Sequence, residues 1–436
     1  MKPIRPLAVA VVLAAAASFA TIHAQKLLIT GKRPTPMIES IGPQVAQLSL
    51  PAFDGAHAIW GSTGQDAAGH LWFGVTADGT PVPSAHLFEY DPSADQFTDR
   101  GDVVTQLTAA GVARTGEHQA KIHSRIVSGP DRYLYFSSMD EEGEHEDGSQ
   151  LPRWGGHLWR ISLDTHKWEH LLATPEALIA VGAGDRFVYA LGYFGHVLFQ
   201  FDTKSRDVKR IPVGSFGGHV SRNFVVDYRG HAYVPRLRVE SESLGRQALH
   251  VSLVELGTDL QELKETPLEP EHYFGDSPTA THGITGVQEM ADGSWYFTTH
   301  VGFLYRIQPP ARSSDVDHAA ATVTRVGWLH PTGATYVASL FTTDGSDTLL
   351  ALSHNIIGQG ATGRYQWLTF ELKTGVSRVA PFAVASLDDA VMSRSLLYGS
   401  STRDAQGTHY VVGATSSGGR TVPVVLRVTP RKRQSQ

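Results

Sequence analysis

A short strand pattern that recurs seven times constrains the fold of this chain more than any other feature. In each copy apolar and polar residues alternate at period two, which is typical of a β-strand with one buried face. Repeats at intervals of roughly 40–55 residues indicate propellers or solenoids, in which each repeat is one supersecondary unit. The seven copies are His86–Pro92, His157–Asp164, His196–Asp202, Val251–Leu256, Phe303–Gln308, Trp367–Lys373 and Val424–Thr429.

We therefore predict an all-β fold, a seven-bladed β-propeller that spans residues 41–430. The last copy runs into Pro430, so the seventh blade lacks an outer strand from its own part of the chain. Val45–Leu50 alternates well enough to supply that strand, and this closure would remove an exposed edge. A pair of β-sandwiches is the alternative, but it explains the even repetition less well.

The N-terminal residues 1–24 have the layout of a secretory signal peptide. Lys2 and Arg5 precede an apolar run, and small residues suit cleavage near Ala24. The run is too short and too rich in alanine for a membrane span. We predict a signal peptide at 1–24, a linker at 25–40 and a solvated basic tail at 431–436, and we expect a secreted or periplasmic protein.

Composition excludes several classes of site and partner. The chain has no cysteine, so it has no disulfides, no thiolate metal site and no cysteine nucleophile. A net charge of -6 and the absence of a basic face speak against nucleic acid. We expect a monomer without a membrane span. The 21 histidines, against 5 methionines, are unusual and matter only if some of them converge.

Histidine, tyrosine and arginine recur at one class of position. The start of each first strand and the end of each second strand lie at the same mouth of the channel, because these two strands are antiparallel. Residues of this class are His57, His123, Tyr193, His196, His219, Arg222, Arg236, His282, His300, Tyr336 and His354. Their recurrence at positions that face one mouth predicts a functional site there.

Without a serine or cysteine nucleophile motif, these side chains favour proton transfer beside an anion. Arginine clamps a carboxylate, and histidine or tyrosine can act as base and acid. β-Elimination from a uronic acid needs this set, because the carboxylate must be neutralised before the C5 proton leaves. Hydrolysis would need two carboxylates across the bond. The acidic stretch Asp140–Asp147 is interpreted instead as a solvated loop or a cation-binding rim.

Around blade 2 the sequence resembles the seven-bladed polysaccharide lyases. The segments that carry the resemblance are Lys121–Ile126, Leu134–Phe136 and Gly155–Trp159. The group includes ulvan lyases, rhamnose–glucuronate lyases and, more distantly, oligogalacturonate lyases. The resemblance implies catalysis by histidine and tyrosine, an arginine on the uronate carboxylate, and a metal in some members.

Carried over residue by residue, the resemblance assigns His123 as one of two paired site histidines. Met139 stands where the second histidine is expected, and His145 in the inserted loop could replace it. The Tyr–Arg pair of the following blade is not cleanly matched, and Tyr193 and Arg222 are the best candidates.

The sequence thus predicts a secreted polysaccharide lyase whose partner is an anionic polysaccharide or oligosaccharide. The catalytic candidates are His123, Tyr193, Arg222 and His145; the substrate-binding candidates are Lys121, His219, Arg236, Tyr336 and Trp154. His282, His300 and His354 could hold a divalent metal such as Zn, Mn or Ca; no organic cofactor is expected. The alternatives are a non-catalytic propeller that binds glycan or protein, and a metal-dependent hydrolase or lactonase.

Overall fold

β-Strands are the main regular structure of the chain that the structure describes, and several of them are buried along their whole length. This computed structural model describes residues 35–39, 41–145, 147–241, 247–274, 282–311, 319–343, 347–354, 365–399 and 402–430. The predicted signal peptide, most of the predicted linker and the basic tail lie outside these residues.

The strands group into seven sheets of antiparallel neighbours, which are the blades of a propeller. Two N-terminal strands, β1 (Thr35–Ile38) and β2 (Gln44–Leu48), come first. Blade 1 contains β3 (Ala56–Ala58), β4 (Thr63–Gln65), β5 (Leu71–Ala77), β6 (His86–Asp91) and β7 (Gln96–Asp102). Blade 2 contains β8 (Lys121–Ile122), β9 (Val127–Ser128), β10 (Tyr133–Met139), β11 (Gly156–Ser162) and β12 (Trp168–Thr174). Blade 3 contains β13 (Leu178–Ala183), β14 (Phe187–Gly192), β15 (Val197–Asp202) and β16 (Val208–Pro212).

The remaining blades follow in chain order. Blade 4 contains β17 (Val225–Val226), β18 (Ala232–Ser241), β19 (Gln247–Leu256) and β20 (Glu262–Leu268). Blade 5 contains β21 (Ile284–Glu289), β22 (Trp295–Thr299), β23 (Phe303–Gln308) and β24 (Thr322–Trp328). Blade 6 contains β25 (Tyr336–Thr342), β26 (Thr348–His354), β27 (Gln366–Glu371) and β28 (Val376–Pro381). Blade 7 contains β29 (Leu396–Tyr398), β30 (His409–Ser417) and β31 (Arg420–Thr429). Short helices lie at Val103–Ala109, Pro270–Tyr273 and Asp389–Met392.

The predicted closure of the ring by an N-terminal strand is confirmed. β2 pairs antiparallel with β31, from Gln44 opposite Thr429 to Leu48 opposite Val425, and so becomes the outer strand of blade 7. Pairing the two ends of the ring removes an edge that would otherwise be open. β1, within the segment predicted as a linker, adds a parallel fifth strand to the outer edge of blade 6 by pairing with β28.

Apolar side chains from adjacent blades interdigitate and hold each blade against the next. Ile122 and Ile126 from blade 2 pack with Trp72 and Leu87 from blade 1, and all four side chains are almost fully buried. Burial of side chains of this size stabilises the fold by about 1.5–3 kcal/mol each. The inner strand of blade 2 therefore gives Ile122 and Ile126 to the core, and His123 and Arg125 to the channel.

The inner strand of blade 2 is interrupted and consists of the two short strands β8 and β9. Within this inner strand, β8 and β9 pair with β10, whereas residues 123–126 between them leave the ladder. The Ser124 hydroxyl accepts the Ser137 backbone N–H at 2.8 Å in place of a ladder bond. The alternation of side chains survives this break, so His123 and Arg125 both reach the channel.

No helix in the described part of the chain is long and apolar enough to cross a membrane.

Candidate functional site

Inner strands from six blades converge on a small cavity at the propeller axis. Its volume is about 10 Å³, which is room for about one water molecule. The lining residues come from every blade except blade 3: Trp60, Gly61, His123, Arg125, Arg222, Asn223, Thr285, Ala338, Tyr398 and Gly399. His123 and Arg222, predicted from distant parts of the sequence to share one cavity, both line it.

The Arg222 side chain brings a positive charge into this cavity. Its backbone N–H donates to the His282 carbonyl at 2.9 Å, and its guanidinium donates to the Trp60 carbonyl. The guanidinium lies 4.2 Å from the centre of the Tyr398 ring, a distance suited to a cation–π contact. Among the ion pairs within 4.0 Å in the described residues, none includes Arg222. The site therefore holds a partly buried cation whose identified contacts are neutral.

The turn that brings the Trp60 carbonyl to Arg222 requires a glycine because of its backbone conformation. Gly61 has φ +94°, a region that is strained for any residue with a side chain, and its backbone lines the cavity beside the guanidinium. A Cβ built there would lie 3.6 Å from Arg222 Nη2. Substitution at this position would strain the turn that brings the Trp60 carbonyl to the arginine.

His123 is held as a neutral imidazole. Burial, then the charges of Arg222 and Lys121, keep its pKa well below the ordinary value of 6.5. The Ile179 backbone carbonyl accepts a hydrogen bond from the ring, and Nδ1 has no hydrogen-bond partner among the described residues. This pattern assigns the proton to Nε2 and leaves the Nδ1 lone pair unused. A neutral imidazole with an unused lone pair can act as a general base.

His282 belongs to a short relay that begins at Arg222. The Tyr336 hydroxyl accepts a hydrogen bond from Arg222 and lies 2.7 Å from His282 Nδ1. Because arginine cannot accept, the single hydroxyl proton of Tyr336 points to His282 Nδ1, which assigns the other imidazole proton to Nε2. Burial, then the charges of Arg222 and His300, keep the pKa of His282 well below its ordinary value. His282 is therefore a neutral N–H donor, opposite in role to His123.

The three histidines predicted as metal ligands lie close together but do not form a ligand set. The centres of the His282 and His300 rings are 5.8 Å apart, and the centre of the His354 ring lies 4.9 Å from that of the Tyr336 ring. His300 Nδ1 already accepts the His282 backbone N–H at 3.2 Å. In the described residues, the groups with ligand atoms near enough for one ion are Asp66–His70–Glu89 and His118–Asp140–Glu142. The arrangement does not fit a three-histidine centre, and metal binding by this chain stays a prediction.

Two basic residues predicted to bind substrate are paired with acids. Arg236 donates to Glu262 at 2.8 Å and to Glu265 at 2.9 Å, both on the outer strand β20. Its side chain is buried in blade 4 and does not line the cavity, so the structure gives it a structural role. Lys121 lies on the channel side of β8, two residues before His123, and forms an ion pair with Glu141.

The inserted loop of blade 2 holds two more predicted residues away from the cavity. His145 is exposed, and its Nδ1 lies 3.2 Å from the Ser149 hydroxyl. The Trp154 indole is buried and donates to Glu142 Oε2 at 2.6 Å. Neither residue lines the axial cavity, so His145 does not occupy the place of a second histidine beside His123.

The last two predicted residues flank the channel at blades 3 and 4. Tyr193, just after β14, is half-buried and its ring packs on Phe194 with centres 4.5 Å apart. His219 is fully buried, with Nδ1 2.6 Å from the Ser215 hydroxyl and no partner for Nε2 in the described chain. Its ring lies 5.6 Å from Tyr273. Neither residue lines the cavity that contains His123 and Arg222.

Sequence reasoning missed two residues of the site, Tyr398 and Arg125. Tyr398 is the last residue of β29, the inner strand of blade 7, so it lies outside the class of first-strand starts and second-strand ends on which the sequence argument relied. Arg125 follows His123 by two residues, and period-two alternation places both on the channel side. The sequence therefore carried a signal for Arg125, in the alternation of its strand, but none for Tyr398.

Comparisons with known proteins are consistent with the fold and go no further. No family model matches the chain, and no curated protein matches it. Similar solved structures include the β-propeller domain of Cps50 (Swd1) from Myceliophteria thermophila, at 11% identity over 88% of this chain and 100% of that one, TM-score 0.46. The β-propeller domain of the Trilobed protease from Pyrococcus furiosus matches at 11% identity over 88% and 96%, TM-score 0.45. The α-L-arabinanase of Penicillium chrysogenum matches at 11% identity over 78% and 100%, TM-score 0.42.

Proposed function

We propose that this propeller is an exported polysaccharide lyase that cleaves a uronate-containing glycan by β-elimination at the mouth that contains His123. The observation that carries the proposal is Arg222, a partly buried guanidinium without a carboxylate partner in the described chain, beside two neutral histidines. A cation withdrawn from water needs an anion or many dipoles to offset its desolvation. A substrate carboxylate is the group that would complete this site.

Arg222 has the donors that such a ligand needs. A guanidinium carries five N–H donors, and the identified side-chain contacts of Arg222 are with the Trp60 carbonyl and the Tyr336 hydroxyl. The remaining donors can bind a carboxylate in the two-point geometry that arginine favours. Neutralising that carboxylate acidifies the neighbouring C–H bond and stabilises the enolate-like intermediate.

The two histidines supply the base and the acid. His123 Nδ1 takes the C5 proton of the uronate, and the electrons of that C–H bond form the C4=C5 double bond. The C4–O bond breaks, and the leaving oxygen takes a proton from His282 Nε2 while His282 Nδ1 takes the hydroxyl proton of Tyr336, so that no imidazolate forms. The products are an unsaturated uronate and a free hydroxyl, and proton exchange with water restores both histidines. Tyr336 holds the His282 tautomer and is a positioning residue, whereas Tyr193, the tyrosine first predicted for catalysis, has no step in this scheme.

The size of the cavity limits the pose of the sugar. A volume of about 10 Å³ admits the carboxylate end of a uronate but not its ring. The ring would rest in the mouth, on the side of His282 and His300. Of the described residues that line the cavity, none is an acid, so hydrolysis by two carboxylates is less well supported.

The narrow cavity also favours a second candidate function, the binding of an anionic glycan without cleavage. Arg222 would hold a carboxylate in the same way, and the depressed pKa values of His123 and His282 would follow from burial beside a cation. Propellers serve as scaffolds for recognition as well as for catalysis, so an assay must separate the two functions.

The test is to incubate the protein with a panel of uronate polysaccharides and follow the ultraviolet absorbance of the new C4=C5 double bond. We expect activity on at least one polymer, a loss of about 100-fold or more in His123→Asn and a similar loss in Arg222→Gln. Arg132→Gln, which removes an exposed arginine paired with Asp164 at 2.6 Å, is the matched control and should keep full activity. Chain cleavage without absorbance would exclude a lyase. Binding that depends on Arg222, without cleavage, would establish the second function.

A further inference from the structure

His300 lies beside His282 at the mouth of the channel, but the elimination proposed for the axial site gives it no step. His300 directly follows β22, and His282 lies two residues before β21. These two strands pair with Ile284 opposite Thr299, so both histidines stand at the same end of blade 5. Their ring centres are 5.8 Å apart, and neither residue lines the axial cavity. Both therefore lie outside the space that would take the substrate carboxylate.

The hydrogen bond of His300 fixes its tautomer. Its Nδ1 accepts the His282 backbone N–H at 3.2 Å, so this nitrogen carries the lone pair. Burial lowers the pKa of His300 to about 4, so the ring is neutral at neutral pH and its proton is on Nε2. Nε2 has no hydrogen-bond partner among the described residues and is not fully buried. His300 is therefore a neutral N–H donor that a ligand can reach.

A chain of hydrogen bonds sets the order of the groups at the mouth. The backbone N–H of Arg222 donates to the His282 carbonyl at 2.9 Å, and the Arg222 side chain reaches the His282 ring through the Tyr336 hydroxyl. The backbone N–H of His282 in turn donates to His300. Along this chain His282 lies between Arg222 and His300.

A uronate that is linked through O4 carries its polar groups in the same order. The carboxylate is on C5, the leaving oxygen is on C4, and the next oxygen around the ring is the hydroxyl on C3. The proposed scheme sets the carboxylate on Arg222 and the leaving oxygen on His282 Nε2, so the next donor, His300 Nε2, meets the 3-hydroxyl. A neutral N–H suits a neutral hydroxyl, because neither group has to give up the hydration of a charge.

We infer that His300 is a substrate-binding residue that donates through Nε2 to the 3-hydroxyl of the uronate, and that it selects uronates that carry this hydroxyl over those that lack it. This inference rests on the function proposed above for the same mouth.

Two replacements separate the roles of the two ring nitrogens. His300→Asn places an amide near the position of Nδ1, so it keeps an acceptor for the His282 N–H and removes the donor at Nε2. His300→Gln reaches further, so it keeps a donor near the position of Nε2 and loses the acceptor. A substrate-binding role predicts that glutamine preserves function better than asparagine, and a role in structure alone predicts the reverse.

The test compares two probes in the ultraviolet elimination assay. One is a disaccharide whose uronate carries the second sugar at O4, cut from the polymer that the wild type cleaves, and the other is its 3-deoxy analogue. The wild type should process the parent with a kcat/KM about three- to tenfold higher, equivalent to one hydrogen bond. This ratio should fall to about one in His300→Asn and be largely restored in His300→Gln. His330→Asn, at another buried histidine whose Nε2 lies 3.0 Å from Gln366 Oε1, is the matched control and should keep the wild-type ratio.

A wild-type ratio that persists in His300→Asn would overturn the inference. So would loss of the ratio in His300→Gln with no change in His300→Asn, which would assign His300 a structural role through Nδ1. If the wild type cleaves no polymer, the proposed elimination fails, and the Kd values of a D-glucuronate disaccharide and its 3-deoxy analogue replace kcat/KM. A Kd ratio that depends on His300 in the same way would then support the contact with the 3-hydroxyl in a binding protein, and equal Kd values would overturn it.

Discussion

Replacement of Tyr336 by phenylalanine would test the relay between Arg222 and His282 directly. The ring of Tyr336 is 1% exposed, and its hydroxyl lies 2.7 Å from His282 Nδ1 while accepting from Arg222. Tyr336→Phe removes only the hydroxyl, so the packing of the ring against His300 and His354 is kept. The change leaves His282 Nδ1 without the donor that selects its tautomer.

The structure sets the size of the expected effect. A buried polar group that loses its hydrogen-bond partner costs about 1–3 kcal/mol. Arg222 keeps its bond to the Trp60 carbonyl, so most of the cost falls on His282, and Tyr336→Phe should lower the free energy of unfolding by about 1–3 kcal/mol. Since general acid catalysis contributes about 10²–10⁴-fold, a His282 without a selected tautomer should reduce kcat by about 10- to 100-fold.

Tyr365, which directly precedes β27 in the same blade, offers a matched control. Its ring is 5% exposed, and its hydroxyl donates to the Ser395 carbonyl at 3.0 Å and accepts the Leu397 N–H at 2.7 Å. Tyr365→Phe therefore removes a buried hydroxyl with two backbone partners and should cost a similar free energy of unfolding. Because it does not touch His282 or Arg222, its kcat should stay within about twofold of the wild type.

Urea unfolding and the ultraviolet elimination assay together measure both effects. Equal losses of stability with a loss of kcat confined to Tyr336→Phe would support the relay. If both variants lose stability equally and both keep full kcat on a polymer that the wild type cleaves, His282 is not positioned by Tyr336 in the reaction. If the elimination assay is silent for the wild type, the affinity of the same polymer for the two variants replaces kcat as the measurement.

Three other predictions concern stability. Burial lowers the pKa values of His196 and His300 to about 4, so these residues stay neutral when folded while unfolded histidines bind protons below pH 6.5. The contribution of these residues to the free energy of unfolding should be complete above pH 6.5 and fall toward pH 4, by up to about 3 kcal/mol for each residue. Urea midpoints that do not change between pH 6.5 and pH 4 would contradict this prediction. Leu48→Ala in the closing strand β2 should cost about 2 kcal/mol, measured by the same midpoints. Arg229→Met would remove the arginine shared by two buried acids, Asp227 and Glu255, and cost about 3–5 kcal/mol, whereas Arg132→Met, at an exposed ion pair, should leave the urea midpoint almost unchanged.

The architecture could be predicted because strand alternation and repeat spacing are local in sequence. Each copy of the pattern needs only its own residues to be recognised, and the unpaired last copy before Pro430 called for a strand from elsewhere. The interruption at residues 123–126 could not be foreseen in the same way. It depends on the Ser124 hydroxyl replacing a ladder bond to Ser137, and serine at that position is equally compatible with an intact strand.

The site could be predicted in part, for a related reason. Position along the inner strands brought His123, Arg222 and His282 to one mouth, since that depends only on strand order and direction. Position along a strand did not identify the side chains with which these residues pair. Arg236 has the right position, but the acids that bind it lie on the outer strand β20, and only the register of the blade reveals that pairing.

The distribution of charge along the channel bears on the function proposed for the axial cavity. Lys121, Arg222 and Arg125 stand at successive levels from one mouth to the other, while the whole chain carries a net charge of -6. Lys121 is paired with Glu141 at the rim, and Glu289 acts on Arg125 at the far end. The middle level, Arg222, has no acid beside it within the described residues. In a channel with low-dielectric walls the field of such a cation is concentrated along the axis, so the proposed elimination predicts that the affinity for an anionic substrate falls as the salt concentration rises.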